Sequence, residues 1–458
     1  NIEKDVFLSN SFITIWTTTP WTLFANTGLA VGKSIKYVVV ETTKPHNSEE
    51  VLVICAEECL SFVFNNKQNP VSYKTLGHFS GSDLVGLKYE QLLKYVQPSD
   101  SKKEAFRVID ADFVNTDGGT GVVHLAPTFG ADDFLAAKKH NLPSMLVEND
   151  SEKPCPIVDL NGRFIDGLGV FSGRFVKRAF GEDKQNSVDV DIVVMLKKEG
   201  SVFRSEKYEH SYPHCWRTDK PILYYPLDSW FIQTTKYKKE LIEKNKEINW
   251  KPKSTGEGRF QNWLENLNDW NLSRSRFWGI PLPIWKTESG NHVICVGSVE
   301  ELQSLCEESV LVGNMKKNPL EGFKPKDMSE ENYKLFDLHK NCVDNIVLTA
   351  PSGEPMYRES DVIDVWFDSG AMPYAQWHYP FENKELVDNT IFYPADFIAE
   401  GVDQTRGWFF TLHAISVMCF GNIAFKNVIS NGLVLDHLGQ KMSKRLGNGV
   451  DPFEVINN

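Results

Sequence analysis

The sequence predicts an α/β chain, with a doubly wound parallel sheet in its C-terminal half and a mostly β domain ahead of it. Three observations lead there. The chain has 458 residues, enough for several domains that each bury a core. Residues 12–200 carry short β-type runs separated by Gly, Asn and Asp, the pattern of a compact β domain. Residues 391–458 instead alternate strand, helix and strand, and such a βαβ unit belongs to a parallel sheet.

In the first region, residues 12–17, 37–41, 51–55 and 121–125 read as strands, and residues 131–140 as the best of few helices. Composition changes near residues 208–216, where aromatic-rich loops begin. A Lys/Glu-rich stretch over 235–253 follows. Its alternating charges suit a solvated helix face, an RNA-facing role being the alternative. Residues 286–345 are polar and read as a small insert. The closing unit reads as a strand at 396–400, a helix at 404–419 and a strand at 427–435. These divisions set a first domain at 1–207, a second at 208–285 and 346–458, and the insert between its two parts.

Bulk properties exclude some classes. Apolar residues make up 41% and charged residues 24%, as in ordinary soluble domains. No run approaches the roughly 18 apolar residues of a membrane helix. The eight cysteines include no C-x-x-C pair, so reduced thiols are expected. A net charge of −12 argues against a broad nucleic-acid-coating surface but leaves room for a local basic groove. The chain opens Asn-Ile-Glu-Lys-Asp, with neither Met nor an apolar signal segment, so an internal piece of a longer protein is expected.

Two motifs fall at the carboxyl ends of the predicted βαβ strands, where such sheets bind ligands. In Glu400-Gly401-Val402-Asp403-Gln404, Gly401 lets a ligand approach the backbone. Asp403 can accept from paired ribose hydroxyls, and Glu400 from an ammonium or hydroxyl. The same residues also suit a helix N-cap. In Lys441-Met442-Ser443-Lys444-Arg445, two lysines on a loop can clamp a polyphosphate and stabilise charge on a leaving pyrophosphate. By itself such a K-x-x-K is equally a charged surface loop. Trp366, in Asp364-Val365-Trp366-Phe367-Asp368-Ser369-Gly370, and Trp408, in Arg406-Gly407-Trp408, offer rigid apolar walls for a branched aliphatic side chain, or simple core packing.

The first half has its own motifs. Trp16-Thr17-Thr18-Thr19-Pro20-Trp21-Thr22 gathers four hydroxyls able to hold a polar substrate and a water, or forms a Thr-rich edge strand. In Gly119-Thr120-Gly121-Val122-Val123-His124, glycines flank Thr120 and would bring backbone near a ligand. Asp132 and Asp133 fall at a helix start, where a carboxylate holds an α-ammonium group or caps the helix. His124 alone also fits a satisfied structural histidine.

The pair E-G-x-D-Q-x-R-G-W and K-M-S-K-[SR] closely resembles the class I aminoacyl-tRNA synthetases. The resemblance implies ATP-dependent activation of an amino acid on a Rossmann-type fold, then transfer to tRNA. It places Glu400 and Gly401 against the aminoacyl-adenylate, Asp403 and Gln404 on the ribose, and Lys441 and Lys444 on the phosphates. Arg445 stands where many members have Ser. Ser273-Arg274-Ser275-Arg276-Phe277-Trp278-Gly279 is a further family stretch of the synthetic domain. The Thr-rich and Gly-Thr-Gly stretches resemble the editing domain of isoleucyl-, valyl- and leucyl-tRNA synthetases. Thr19, where the valine and leucine branches carry Arg, points to the isoleucine branch, in which tryptophans matching Trp366 and Trp408 line the amino-acid pocket. Residues 1–207 are then the editing domain, with its site opening at Thr17. Asp133 would anchor the α-amino group of misacylated valine. Thr18, Thr19, Thr22 and Asn26 would order the ester and the attacking water, and His124 would help exclude isoleucine.

An isoleucine enzyme needs such a second site. Rejecting valine means sensing one methylene, worth about 1–3 kcal/mol, isoleucine against valine being the established instance. The ester is labile, so positioning suffices without a covalent nucleophile. The chain contains no H-x-G-H, the nucleotide motif that lies upstream of the editing insert in the family, so impaired adenylation is expected, with hydrolytic editing retained. His214-Cys215-Trp216-Arg217-Thr218 has Thr where relatives complete a C-x-x-C, so no zinc is expected. The implied partners are tRNA(Ile), isoleucine and ATP with Mg2+, without a membrane, in a cytoplasmic enzyme monomeric at full length. The alternatives are a valyl- or leucyl-tRNA synthetase fragment, a non-catalytic tRNA-binding module and a free-standing deacylase.

Overall fold

The computed structural model describes residues 11–65, 70–148, 153–178, 187–215, 218–442 and 447–457. The chain divides into two units, Asn1–Leu227 and Asp228–Asn458.

The first unit is built on strands whose apolar runs demand burial. These are β1 (Phe12–Ile13), β2 (Gly28–Val31), β3 (Lys36–Thr43), β4 (Glu50–Ala56), β5 (Tyr73–Ser80), β6 (Arg107–Asp110) and β7 (Val122–Leu125). Tyr37, Val38, Val39 and Val40 of β3 are all buried in succession, so this strand must be covered on both faces. It lies inside a four-stranded sheet of order β1-β4-β3-β5. β2 lies inside a second sheet of order β6-β2-β7, parallel to β6 and antiparallel to β7. Tyr37 joins the sheets: its hydroxyl accepts from the Gly32 N–H at 3.1 Å and donates to the Gly121 carbonyl at 2.7 Å.

The two longest helices of the unit are α1 (Ala131–Lys139) and α2 (Val188–Lys198), with shorter ones at Leu60–Phe64 and Gly81–Leu84. Helix α2 departs from the expected scarcity of helices. Its Val/Ile-rich sequence looks strand-like locally, yet Val188, Ile192 and Leu196 are buried at helical spacing, and that period decides the element. The expected strand at 12–17 shrinks to Phe12–Ile13, because the chain turns into the short 3-10 helix Pro20–Ala25. Residues 208–227 belong to this unit rather than the next. Tyr208 packs edge-on to Trp16 at 5.0 Å, and the Tyr225 hydroxyl donates to the Val158 carbonyl at 2.7 Å.

In the second unit, α3 (Lys238–Asn245) precedes β8 (Asn249–Lys251). The expected long helix over 235–253 therefore stops early: Trp250 is buried in β8, and its indole N–H donates to Asn245 Oδ1 at 2.9 Å. The segment between Ile284 and Arg358 forms a substructure, somewhat longer than the expected 286–345. It holds β9 (Ile284–Thr287), β10 (Val293–Cys295), α4 (Val299–Val312), β11 (Val347–Thr349) and β12 (Pro355–Arg358). The strands form an antiparallel sheet of order β10-β9-β12-β11 over a core of their own that includes Trp285, Leu302, Cys306 and Leu348.

The closing βαβ unit comprises β13 (Ala395–Gly401), α5 (Trp408–Phe420) and β14 (Phe425–Asn431). Its two strands pair directly and in parallel, Ile398 opposite Val428 and Glu400 opposite Ser430, with β8 parallel on the far side of β14. The second strand ends at Asn431, short of the expected 435. The helix begins at Trp408 rather than 404, because residues 402–406 form a 3-10 turn. Ile398, Val428 and Trp250 pack on Phe409, Leu412 and Phe425 in one core. None of the eight cysteines is in a disulfide. Among the described residues no helix is long and apolar enough to cross a membrane.

Candidate active sites

The Thr-rich loop is held by its own hydroxyls. The Thr17 hydroxyl oxygen accepts from the Thr19 N–H at 3.0 Å. The Thr22 hydroxyl donates to the Thr19 carbonyl at 2.8 Å, the bond expected where a 3-10 turn starts. The Thr19 and Thr22 hydroxyls are 3.4 Å apart, and Thr22 Oγ1 lies 3.2 Å from His124 Nε2 on β7. One polar chain thus runs from Thr17 through Thr19 and Thr22 to His124. Burial depresses the His124 pKa to about 4, so the ring is neutral at pH 7, and its enclosed Nδ1 finds no partner among the described residues. A neutral imidazole beside a hydroxyl passes or accepts one hydrogen bond without presenting charge.

Asp133 sits in the first turn of α1, and its Oδ2 accepts the Ala126 N–H at 2.8 Å. Burial, together with the neighbouring Asp132, raises its pKa against that hydrogen bond. A carboxylate in such surroundings gains most from a cation that arrives with its own hydrogen-bond donors. Gly121 has φ +71°, and a Cβ there would meet Ala56 Cβ at 2.3 Å. That glycine lets β7 pack closely against the end of β4.

The expected residues of this half fall into two groups. Thr17, Thr18, Asn26 and Thr120 line a cavity of about 1530 Å³, whereas Thr19, Thr22, His124 and Asp133 do not line it. Asn26 is buried, and its amide is engaged: Nδ2 donates to the Gly28 carbonyl at 2.9 Å, and Oδ1 accepts from the Tyr89 hydroxyl at 2.6 Å. Its observed contacts are therefore structural. Two residues that the sequence did not single out also act on this region. They are Tyr89, through Asn26, and Asp189, whose Oδ1 accepts the Trp21 N–H at 3.0 Å. No local signal exposes contacts between residues so distant in sequence.

The second unit gathers its residues at the carboxyl end of β13. Glu400 and Gly401 end that strand, and Asp403 and Gln404 occupy the 3-10 turn that follows. The Glu400 and Asp403 side chains are exposed. Gln404 Oε1 accepts the Trp408 N–H at 3.0 Å, so it caps the helix start. The Trp408 indole N–H donates to the Ser369 carbonyl at 3.0 Å. A Cβ on Gly407 would lie 2.8 Å from Gln404 Oε1 and 3.3 Å from the Trp366 ring. The structure thus brings Trp366 and Trp408 together around Gly407. Asp364 orders this corner: it caps the helix that carries Trp366, with Oδ1 accepting the Trp366 N–H at 3.3 Å, and Oδ2 pairs with Arg274 at 2.8 Å. Lys441 is exposed in the loop after β14, bridged to Leu435. Lys444 lies outside the described residues. Among the described residues no three His, Cys, Asp or Glu side chains cluster to hold a metal.

This geometry, a parallel sheet with acidic and glycine residues at its carboxyl end and a separate β unit carrying a hydroxyl cluster, agrees with the comparisons. Residues 34–458 match the family model described as tRNA synthetases class I (I, L, M and V), and the chain belongs to that family. Over 98% of its length it is 53% identical to the isoleucine–tRNA ligase of Porphyromonas gingivalis, covering 42% of that protein. It is 54% identical to that of Cytophaga hutchinsonii, over 98% of the chain and 41% of the relative. With the isoleucine–tRNA ligase of Clostridium novyi it shares 44% identity, over 98% of the chain and 38% of the relative. The chain therefore spans about two fifths of the length of the curated relatives it matches.

Proposed function

We propose that this chain provides, within an isoleucine–tRNA ligase, the hydrolytic site that clears Val-tRNA(Ile) and the second half of the site that activates isoleucine with ATP. The observation that carries the hydrolytic part is the continuous contact from Thr19 through Thr22 to a neutral His124, on a chain whose relatives are isoleucine–tRNA ligases.

Asp133 takes the α-ammonium group of the misacylated amino acid, replacing solvation that burial has removed. Thr18, Thr19 and Thr22 order the ester and a water, with Thr17 fixing the Thr19 backbone. Placement then substitutes for a nucleophile, since holding two reactants in register supplies much of the barrier reduction. His124, in contact with the Thr22 hydroxyl beside the threonine loop, helps to exclude isoleucine while valine is accepted.

In the second unit, Trp366 and Trp408 flank the isoleucine side chain and Glu400 and Gly401 contact the adenylate. Asp403 faces the ribose, with Gln404 holding the turn. Lys441 and Lys444 take the phosphates of ATP, whose Mg2+ enters with the substrate. The working enzyme is a cytoplasmic monomer that needs no zinc at His214 and Cys215.

The test is hydrolysis of Val-tRNA(Ile), Ile-tRNA(Ile) and Thr-tRNA(Val) by the chain. Val-tRNA(Ile) should be cleaved in clear preference to the other two, and Asp133→Ala should lower that rate by about 100-fold, as expected for loss of a charge-assisted anchor. Preference for Thr-tRNA(Val) would assign the valine branch instead, and an Asp133→Ala variant of unchanged rate would remove the anchoring role.

A further inference from the structure

We propose that Asp189 is a positioning residue for the hydrolytic site, acting through the Trp21 backbone to set the threonine loop; this rests on the hydrolytic reading above. Within the loop between Thr17 and Thr22, the Thr19 N–H donates to Thr17 Oγ1, the Thr22 N–H and hydroxyl both donate to the Thr19 carbonyl, and the Thr19 and Thr22 hydroxyls lie 3.4 Å apart. These contacts tie the loop to itself, and the Thr22 hydroxyl also reaches His124 on β7. Trp21, one residue before Thr22, adds a main-chain anchor to the body of the unit. Its N–H is an orphan donor at the start of a 3-10 turn, and Asp189 Oδ1 accepts it from a position 168 residues further along the chain.

Asp189 is itself held. It sits in the first turn of α2, where the helix dipole favours a carboxylate. Its Oδ2 lies 3.4 Å from Lys177 Nζ, with both side chains largely shielded from solvent. The Lys177 ammonium also stands over the Tyr212 ring, 5.1 Å from its centroid. Behind the loop, the Trp21 ring packs edge-on to Phe129 at 5.0 Å, so the residue is clamped at both backbone and side chain. A shift of Trp21 would carry Thr22 Oγ1 away from His124 Nε2, and with it the end of the polar chain. Asp189 also lines the cavity faced by Thr17 and Thr18. A contact with substrate is therefore the competing role, and the kinetics separate the two. A positioning residue changes turnover, whereas a binding residue changes KM.

The experiment compares the full chain with Asp189→Ala and Asp189→Asn in steady-state hydrolysis of Val-tRNA(Ile), with thermal unfolding of each variant measured alongside. Asp189→Ala should lower kcat by about tenfold or more, the loss expected when a catalytic group is displaced by a fraction of an ångström, with KM changed less than about twofold. Asp189→Asn keeps an oxygen that can accept the Trp21 N–H and should recover most of kcat. Unchanged kcat in Asp189→Ala, a rise in KM as the main effect, or an Asp189→Asn variant no better than Asp189→Ala would each overturn the proposal. So would a loss of kcat that merely tracks a collapsed unfolding midpoint in both variants. A wild-type chain inactive on Val-tRNA(Ile) would instead sink the hydrolytic reading, and the positioning role with it.

Discussion

Thr19, Thr22 and His124 contact one another in the first unit, Thr22 buried and the other two partly so, whereas Glu400, Asp403 and Lys441 of the second stand exposed on a strand end and the loops beyond. The first arrangement is preorganised and partly dry, and its groups have shifted proton affinities. It suits a reaction in which a neutral ester and one water must be held still. The second keeps its charges in water, as suits charged ligands that arrive with their own counter-ions. In the first unit the site is also part of the packing. In the second, Glu400, Asp403 and Lys441 stand out from the packing, whereas Gln404 and Trp408 take part in it.

That contrast can be broken most severely at Gly121. Gly121→Ala forces a Cβ against Ala56 at 2.3 Å and at positive φ. Overpacking and the left-handed conformation together should cost about 3–5 kcal/mol, read as a lowered denaturant midpoint with loss of hydrolysis. A variant of wild-type stability would show that β7 is free to shift and that the site is less built-in than argued.

Acid comes next. His124 in the first unit and His413 in the second both have pKa values lowered by burial to about 4. A histidine whose folded pKa lies below its unfolded value contributes stability that is complete above about pH 6.5 and is lost as pH falls toward 4. Each should account for up to about 3 kcal/mol between those limits. His413 is fully enclosed, with Nε2 2.9 Å from the Leu241 carbonyl, and should show the larger share. Denaturation at pH 7 and pH 4.5 should show the pH dependence reduced in His413→Gln, and less so in His124→Gln. Equal pH dependence in wild type and both variants would remove the claim.

The smallest effects compare the two sites directly. Thr22→Val leaves His124 Nε2 without its hydroxyl partner and should cost about 1 kcal/mol of stability, with about a tenfold slower hydrolysis. Lys441→Ala removes an exposed side chain and should leave unfolding free energy within about 0.5 kcal/mol of wild type. A destabilised Lys441→Ala would mean that the loop after β14 contributes to packing after all.

Several features are legible in the sequence itself. The βαβ unit was visible because strand and helix periods alternate over residues 396–435. The strands at 37–41 and 51–55 were visible because Val and Ile crowd them. Helix α2 was missed because β-branched residues bias a short window toward strand, while its burial repeats every four residues. The early stop of α3 was missed because charge alternation does not distinguish a helix from the strand that buries Trp250.

By itself the sequence determined which chemistry is present: the threonine run, the Gly-Thr-Gly-to-Asp133 stretch, the acidic-glycine strand end and the lysine loop are contiguous in the chain, and contiguous signals survive without coordinates. Only the tertiary structure decided which of those groups meet. It joined Asn26 to Tyr89, closed Thr22 onto His124 and joined Trp21 to Asp189. The physical reason is that a hydrogen bond between residues 100 or more apart in sequence, as Thr22–His124 and Trp21–Asp189 are, is set by how the sheets pack, and no local pattern encodes it.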